Sequence, residues 1–334
     1  MTLPPTPPQG LRRRDALLAT LAGVAGIAAP TAAFASDAHW PNRPLRLVVP
    51  FPPGGGSDAV ARILSNELAE RLGQPVVIDN KPGGAGTVGV SYALNQPADG
   101  YTLIWCTPAA QYLAPRSVRY DPMADFAPVS QTVAATYILL VDPKLNVRSV
   151  ADLVALAKAK PGTINYATAG IGGQGHLMGA YFNQLAGTDM TMVPFTGEGP
   201  ALVGVIGSQV HATFVSSAAA LPQVQSGKLR AIGMSSAKRL PGIPEDIAPI
   251  AATLAGYDVT AINYVAMRAG TPKAIVDRMS KLVNEALEVP AVRERIAAVG
   301  VVPVGSTPDA LGRMVAAERS KWAEIMRKAN IVLE

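Results

Sequence analysis

The stretch LRLVVPFPPGGGSDAVARILSNEL, residues 45–68, sets three patterns end to end. Leu45 to Phe51 is dense in Leu and Val and reads as a strand. Pro52-Pro53-Gly54-Gly55-Gly56-Ser57-Asp58 breaks it as a turn. Val60, Ile63, Leu64, Leu68 and Leu72 then recur along one face of a helix. Val76-Val77-Ile78 reads as a second strand, and Asp79 to Gly86 as another glycine turn. A short helix to about Leu94 and a strand near Tyr101 to Trp105 follow. Strand, glycine turn, helix, strand is the rhythm of an α/β protein with a parallel sheet.

The rhythm resumes downstream. Strands are expected at Tyr137 to Val141, Ile164 to Ala167, Met190 to Phe195, Ala212 to Val215 and Leu229 to Ser235. Helices are expected at Ser149 to Ala159, His176 to Ala186, Gly199 to Ile206 and Ala219 to Gln225. After the proline-rich connector Leu240 to Pro249, a strand at Val259 to Met267 leads into three helices. These open at Pro272, Pro290 and Pro308, where a first-turn proline is tolerated. The expected organisation is two α/β lobes, with residues 36–138 and 258–334 in lobe 1 and 139–257 in lobe 2.

The amino end has a different character. Met1 to Gly10 is polar and proline-rich, Arg12-Arg13-Arg14 follows, and an uncharged Ala/Leu/Gly stretch runs from Ala16 to about Ala29. Ala33-Phe34-Ala35 supplies a small-residue cleavage site, so residues 1–35 read as a secretory signal peptide. The arginines followed by Leu17-Leu18 also fit a twin-arginine signal, which leaves both export routes open. A membrane anchor fits less well, because Ala16 to Ala35 is mostly Ala and Gly with Pro30 inside.

Taking residues 1–35 from the 334 leaves 299, a length that suits two domains. Three Arg and one Asp leave with the leader, so the formal charge falls from +5 to +3. Without Lys/Arg blocks, that balance carries no nucleic-acid footprint. Cys106 is the single cysteine, which excludes an internal disulfide, and its apolar setting predicts a buried thiol. The three histidines, His39, His176 and His211, show no metal-ligand spacing, so neither a metal nor a cofactor is expected.

Two loops carry the chemistry: Pro52 to Asp58 and Thr168 to His176. Each joins the carboxyl end of a strand to the amino end of a helix, where open α/β sheets bind ligands. Glycines let backbone N–H groups turn toward one point, and a helix start adds about half a positive charge. Neither loop holds a basic residue. A small carboxylate held by N–H and hydroxyl groups fits this chemistry. Each residue also has a plainer reading: Ser57 and Asp58 are good helix caps, and His176 sits in a first helical turn.

The second loop raises a competing possibility. Gly170, Gly172 and Gly175 have the G-x-G-x-x-G spacing of a dinucleotide site, and Glu198 follows Gly175 by 23 residues, near the place of a ribose-binding acid. An exported NAD(P)-dependent oxidoreductase is therefore an alternative. Against it, the loop lies mid-chain, and no G-x-S-x-G elbow, P-loop or catalytic set accompanies it.

Seven collinear stretches add a resemblance: WPNRPLRLVVPFPPGGGSDAVARILSNEL, QPVVIDNKPGGAGTVG, PADGYTL, YDPMADFAPVS, KPGTINYATAGIGGQGHL, VPFTGEGPALVGVIGSQV and SGKLRAIGMSSAKRLPGIP. Over essentially its whole mature length the chain resembles substrate-binding proteins of the tripartite tricarboxylate transporter type, the TctC or Bug family. The resemblance implies a two-lobed, periplasmic-binding-protein-like (Venus flytrap) fold with a ligand cleft between the lobes. It implies a non-catalytic, monomeric periplasmic protein that takes a small organic carboxylate to membrane permease subunits. A ligand-presenting role beside a sensor kinase is a further alternative on the same fold.

Carried over by position, the ligand loops fall on Phe51, Pro53, Gly54, Gly55, Gly56, Ser57 and Asp58, and on Thr168, Gly170, Gly172, Gly173, Gln174 and His176. Thr107, Thr196, Ser216 and Ser217 follow other strands and are expected near the ligand's far end. The chain departs from the family at Thr196, where a basic or small residue is usual. It departs also near Val203 and His211, where an acid is usual, and near Ile262–Asn263, where Trp is common. These departures fall on the far end of the ligand and leave its identity open.

Overall fold

The computed structural model describes residues 40–107, 118–121, 123–328 and 331, together with Met1. The expected leader and its cleavage site lie outside the described residues. Among the described residues, eleven strands form two sheets. The first contains β1 (Leu45–Val49), β2 (Val76–Asn80), β3 (Thr102–Cys106), β4 (Phe126–Ala135), β10 (Ala261–Arg268) and β11 (Val302–Pro303), in the order β11-β4-β10-β3-β1-β2. The second contains β5 (Tyr137–Val141), β6 (Asn165–Thr168), β7 (Thr191–Pro194), β8 (Ala212–Ser216) and β9 (Arg230–Met234), in the order β7-β6-β8-β5-β9.

Nine described helices cover them: α1 (Gly56–Leu72), α2 (Thr87–Leu94), α3 (Val150–Ala159), α4 (Gln174–Ala186), α5 (Glu198–Ile206), α6 (Ser217–Gln225), α7 (Lys273–Glu288), α8 (Pro290–Ala298) and α9 (Pro308–Lys328). In α1, Val60, Ala61, Ile63, Leu64, Leu68 and Leu72 are buried, which is the face read from the sequence. Cys106 is fully buried, as its apolar setting predicts.

Both sheets are mixed, where the strand–helix rhythm predicts parallel ones. β1 runs parallel to β2 and β3, and β6 parallel to β7 and β8. The antiparallel pairings involve β4, β10 and β11 in the first sheet and β5 in the second. β5 follows β4 through Thr136 and β10 follows β9 with no α-helix between them, so no helical crossover forces either one parallel.

β4 escapes sequence reading altogether. Its segment FAPVSQTVAA contains Pro128 and the polar run Ser130-Gln131-Thr132, yet these polar residues are buried. Their groups are satisfied at long range. Ser130 Oγ lies 2.9 Å from Asn284 Oδ1, Ser306 Oγ accepts the Gln131 N–H at 2.8 Å, and Thr132 Oγ1 donates to Asn263 O at 2.9 Å. Pro128 sits next to a register irregularity between β4 and β10, where a missing ladder donor is tolerated.

The chain leaves the first sheet through Thr136 and leaves the second after Met234. These two crossings are bonded to each other. Thr136 Oγ1 accepts from the Ser236 N–H at 3.2 Å and from Ser236 Oγ at 2.9 Å, and lies 3.2 Å from Ser235 Oγ. Ser235 Oγ accepts the Tyr137 N–H at 2.9 Å and donates to Val259 O at 2.7 Å. Thr136, Ser235 and Ser236 are all fully buried, or within one per cent of it. Thr136→Val keeps the shape but strands the Ser236 hydroxyl and N–H. Loss of a buried partner of this kind costs about 1–3 kcal/mol. A lowered midpoint in urea with an unchanged m-value is the expected result; an unchanged midpoint would remove the crossing bonds from the list of stabilising contacts.

Candidate functional site

A cavity of about 440 Å³ lies where the two sheets' loops meet. Four helix amino ends open onto it. Gly55, Gly56 and Ser57 come from the start of α1, and Gly173, Gln174 and Gly175 from the start of α4. Gly197, Glu198 and Gly199 begin α5, and Ser216 and Ala218 begin α6. The first-turn N–H groups of a helix have no intrahelical acceptor, so this wall is rich in donors. Phe51, Val60, Leu202, Phe214 and Pro222 supply an apolar surface, and Thr107, Tyr137, Gln223 and Asn263 add polar groups.

The first loop is rigidly braced from behind. Gly54 adopts φ +85°, a left-handed conformation suited to glycine, and its N–H donates to Asp58 Oδ2 at 3.0 Å. Arg62 grips the same carboxylate with Nε at 2.8 Å and Nη2 at 3.0 Å. Asn80 Nδ2, at the end of β2, donates to Asp58 Oδ1 and to Phe51 O, both at 3.0 Å. Burial opposes ionisation of Asp58, but the hydrogen bonds from Arg62, Gly54 and Asn80 outweigh it and hold the carboxyl below its usual value.

The second loop is held by its own side chains. Thr168 Oγ1 donates to Gly170 O at 3.1 Å and accepts the Gly170 N–H at 3.3 Å. His176 Nδ1 accepts the Gly172 N–H at 3.1 Å. That bond requires an unprotonated Nδ1, and burial lowers the imidazole's pKa from 6.5. Gly175 closes the geometry: a Cβ there would lie 2.6 Å from Phe214 O, so only glycine lets α4 start this close to β8.

Of the residues singled out in the sequence, Phe51, Pro53, Gly54, Gly55, Gly56, Ser57, Thr107, Gly173, Gln174 and Ser216 line the cavity. Seven do not. Asp58 faces Arg62 and Asn80, while Thr168, Gly170, Gly172 and His176 bond among themselves behind the loop. Thr196 is exposed, and Ser217 is fully buried with its hydroxyl donating to Gly300 O. Asp58, Thr168 and His176 brace the loops that carry them, and no side chain caps the start of α1, whose N-cap is Gly55.

Tyr137, Glu198 and Gln223 line the cavity without having been assigned to it, and Asn263, where the resemblance marks a departure at the ligand's far end, lines it too. Glu198 had a signal, since it follows the strand-to-helix turn at Gly197. Its carboxylate is tied to the start of α6: Oε1 accepts the Ser216 N–H at 2.8 Å and Oε2 accepts Ser216 Oγ at 2.7 Å. The dinucleotide spacing of Gly170, Gly172 and Gly175 is thus explained by loop conformation and helix–strand packing.

Two features make the cavity a candidate ligand site. Thr107 Oγ1 and both amide atoms of Gln174 are buried with no hydrogen-bond partner, and each atom belongs to a residue over nine-tenths buried. Buried polar atoms are normally satisfied, so these call for a ligand or water. Among the described residues, no Lys, Arg or His lines the cavity.

This architecture, two mixed sheets with a cavity walled by helix amino ends, is that of the periplasmic solute receptors. The sequence model of the tripartite tricarboxylate transporter family receptor matches residues 60–331, and the chain belongs to that family. BugT of Bordetella pertussis strain Tohama I is 36% identical over 331 residues, covering 97% of this chain and 99% of BugT. The solved structure of R. palustris Rpa4515 with adipate superposes with a TM-score of 0.83 at 34% identity, over 88% of this chain and 99% of that one. MatC of Rhodopseudomonas palustris with bound malate gives 0.78 at 30% identity, over 86% and 99%. The chain is accordingly a solute-binding protein and not an enzyme. Neither the oxidoreductase nor the sensor-partner reading is supported.

Two predictions test the bracing. Asp58→Asn removes the fork to Arg62 and costs about 1–3 kcal/mol at neutral pH. Because the folded carboxyl has the lower pKa, its contribution is present above the unfolded value and is lost as pH falls through the folded one. The gap between wild type and variant in thermal unfolding should therefore close in acid; a gap independent of pH would refute the ionised brace. For His176 the folded pKa is also the lower, so its neutral form stabilises above about pH 6.5 and that contribution fades as the ring protonates. His176→Gln should flatten the fall in melting temperature as the pH drops below about 6.5. An equally steep fall in the variant would assign it to other groups.

Proposed function

We propose that the chain is an exported receptor whose two lobes close on a small organic carboxylate and present it to the permease subunits of a tripartite tricarboxylate transporter. The observation that carries this reading is the meeting of the α1 and α4 amino ends in one cavity that also contains the unpartnered Thr107 and Gln174 atoms. Helix starts attract anions without a cationic side chain, and a carboxylate takes charge-assisted bonds from several N–H groups at once. The solved relatives are named with adipate and malate, both carboxylates.

In this reading lobe 1 comprises residues 36–138 and 258–334, lobe 2 comprises 139–257, and the crossings at Thr136 and Ser235 act as the hinge. Closure shifts an equilibrium because the ligand touches both lobes only when they meet. The leader at residues 1–35 directs the mature, monomeric protein to the periplasm, with cleavage after about Ala35. Among the described residues no helix is long and apolar enough to cross a membrane.

Calorimetry of the mature protein against linear mono-, di- and tricarboxylates and aromatic acids tests the proposal. At least one acid should bind, and Gln174→Ala should weaken that acid by about tenfold, the loss of a hydrogen bond to a charged group. Absence of heat and of thermal shift across the whole panel would overturn the carboxylate reading.

A further inference from the structure

The cavity already contains a carboxylate. Among the described residues that line it, Glu198 is the one charged side chain, and no cation of the described residues lies within ion-pair distance of it. It is the first residue of α5, and through Ser216 it answers the amino end of α6. Each of its oxygens takes one bond from Ser216, while a carboxylate oxygen accepts about two, so acceptor capacity remains on both. The group is close to the other donors as well. A Cβ on Gly56, at the start of α1, would lie 3.4 Å from Ser216 Oγ.

The neighbouring groups do not neutralise it. Tyr137 lines the same cavity; burial, with the charge of Glu198 added, pushes its phenol well above the usual range and keeps it protonated. Gln223 and Asn263 are neutral amides. Burial raises the pKa of Glu198, opposed by its two bonds from Ser216. A second carboxylate brought into this space meets a like charge in a desolvated setting, a pairing that forces one of the two to take up a proton. A donor brought to the same place completes the bonding of Glu198.

We propose that the ligand of this chain is asymmetric, with one carboxylate for the α1 and α4 amino ends and, away from it, a hydrogen-bond donor, ammonium or hydroxyl, that meets Glu198. This rests on the carboxylate reading above and narrows it. Glu198 is then the residue that sets this chain's preference against unmodified dicarboxylates.

The test is a matched series measured by calorimetry at pH 7 on the mature protein and on Glu198→Gln. The probes are 6-aminohexanoate and 6-hydroxyhexanoate against adipate, and 4-aminobutyrate and 4-hydroxybutyrate against succinate. In wild type, at least one donor-bearing acid should bind about tenfold or more tightly than the dicarboxylate of equal length. Glu198→Gln, which keeps an acceptor for Ser216, should shrink that ratio by about tenfold. A purely structural Glu198 would change all affinities together and leave the ratio alone, which would overturn the proposal. Equal or tighter binding of the dicarboxylates by wild type would overturn it too, and decides the matter even if the variant folds poorly. Should no acid of either series bind, the carboxylate reading fails with it; binding in the wrong order defeats only the present inference.

Discussion

Three buried hydroxyls join the two passages of chain that connect the sheets, and the cavity depends on them. Thr136 begins one passage, Ser235 and Ser236 begin the other, and their mutual bonds place β5 beside β9 at one fixed point of crossing. An apolar contact at this position would be indifferent to sliding or rotation. Hydrogen bonds are directional, and their donors would be left unsatisfied by a shift of one residue. A polar crossing therefore costs little in stability while it stays in register and a good deal when it slips. That is a suitable property for the junction from which both cavity walls are hung.

From that junction outward, the site is built from backbone, and the side chains around it act mainly as supports. Asp58, Arg62 and Asn80 hold the first loop; Thr168 and His176 hold the second. Loops made of glycine would otherwise carry a large conformational entropy and spread their N–H groups over many directions. The bracing explains how a run such as Pro-Pro-Gly-Gly-Gly can present a defined surface. It also divides the labour, since Asp58 and His176, the titratable residues of the two loops, do not line the cavity that the loops present.

That division decides how much was legible in the sequence. The strand–turn–helix order, the buried face of α1 and the two glycine loops follow from periodicity and turn chemistry, which are local. The mixed sheets were not legible, because strand direction at a crossing depends on where the chain is going and not on its own residues. β4 was missed for a related reason: Ser130, Gln131 and Thr132 look like loop residues, and their partners Asn284, Ser306 and Asn263 lie more than a hundred residues away. Within the site, Ser57 and Gln174 were found because the loops that carry them were found. Asp58 and His176 sit in the same loops but face away, and sequence spacing has no term for the direction of a side chain. Tyr137 reaches the cavity from a strand that gave no local sign of it, and Asn263 was marked only by the resemblance.

Backbone donors bring a limitation of their own. An N–H group at a helix start reads negative charge and hydrogen-bond geometry, and it reads them alike for any carboxylate. The α1 and α4 ends can therefore provide affinity for a class of ligands but little choice within it. Choice must come from the side chains that complete the wall, and in this chain those are Thr107, Tyr137, Glu198, Gln223 and Asn263, none of them cationic. A site without a cation binds an anion well only when water is excluded, because the partial charges of helix ends are weak in a high dielectric. In the proposed closure, affinity and movement are then coupled: bringing the α4, α5 and α6 ends up to the α1 end also excludes water and lowers the dielectric in which the first contacts act. A mismatched far end that holds the lobes apart would weaken the near end as well, so that a few neutral side chains and one carboxylate can exert more selectivity than their own contacts supply.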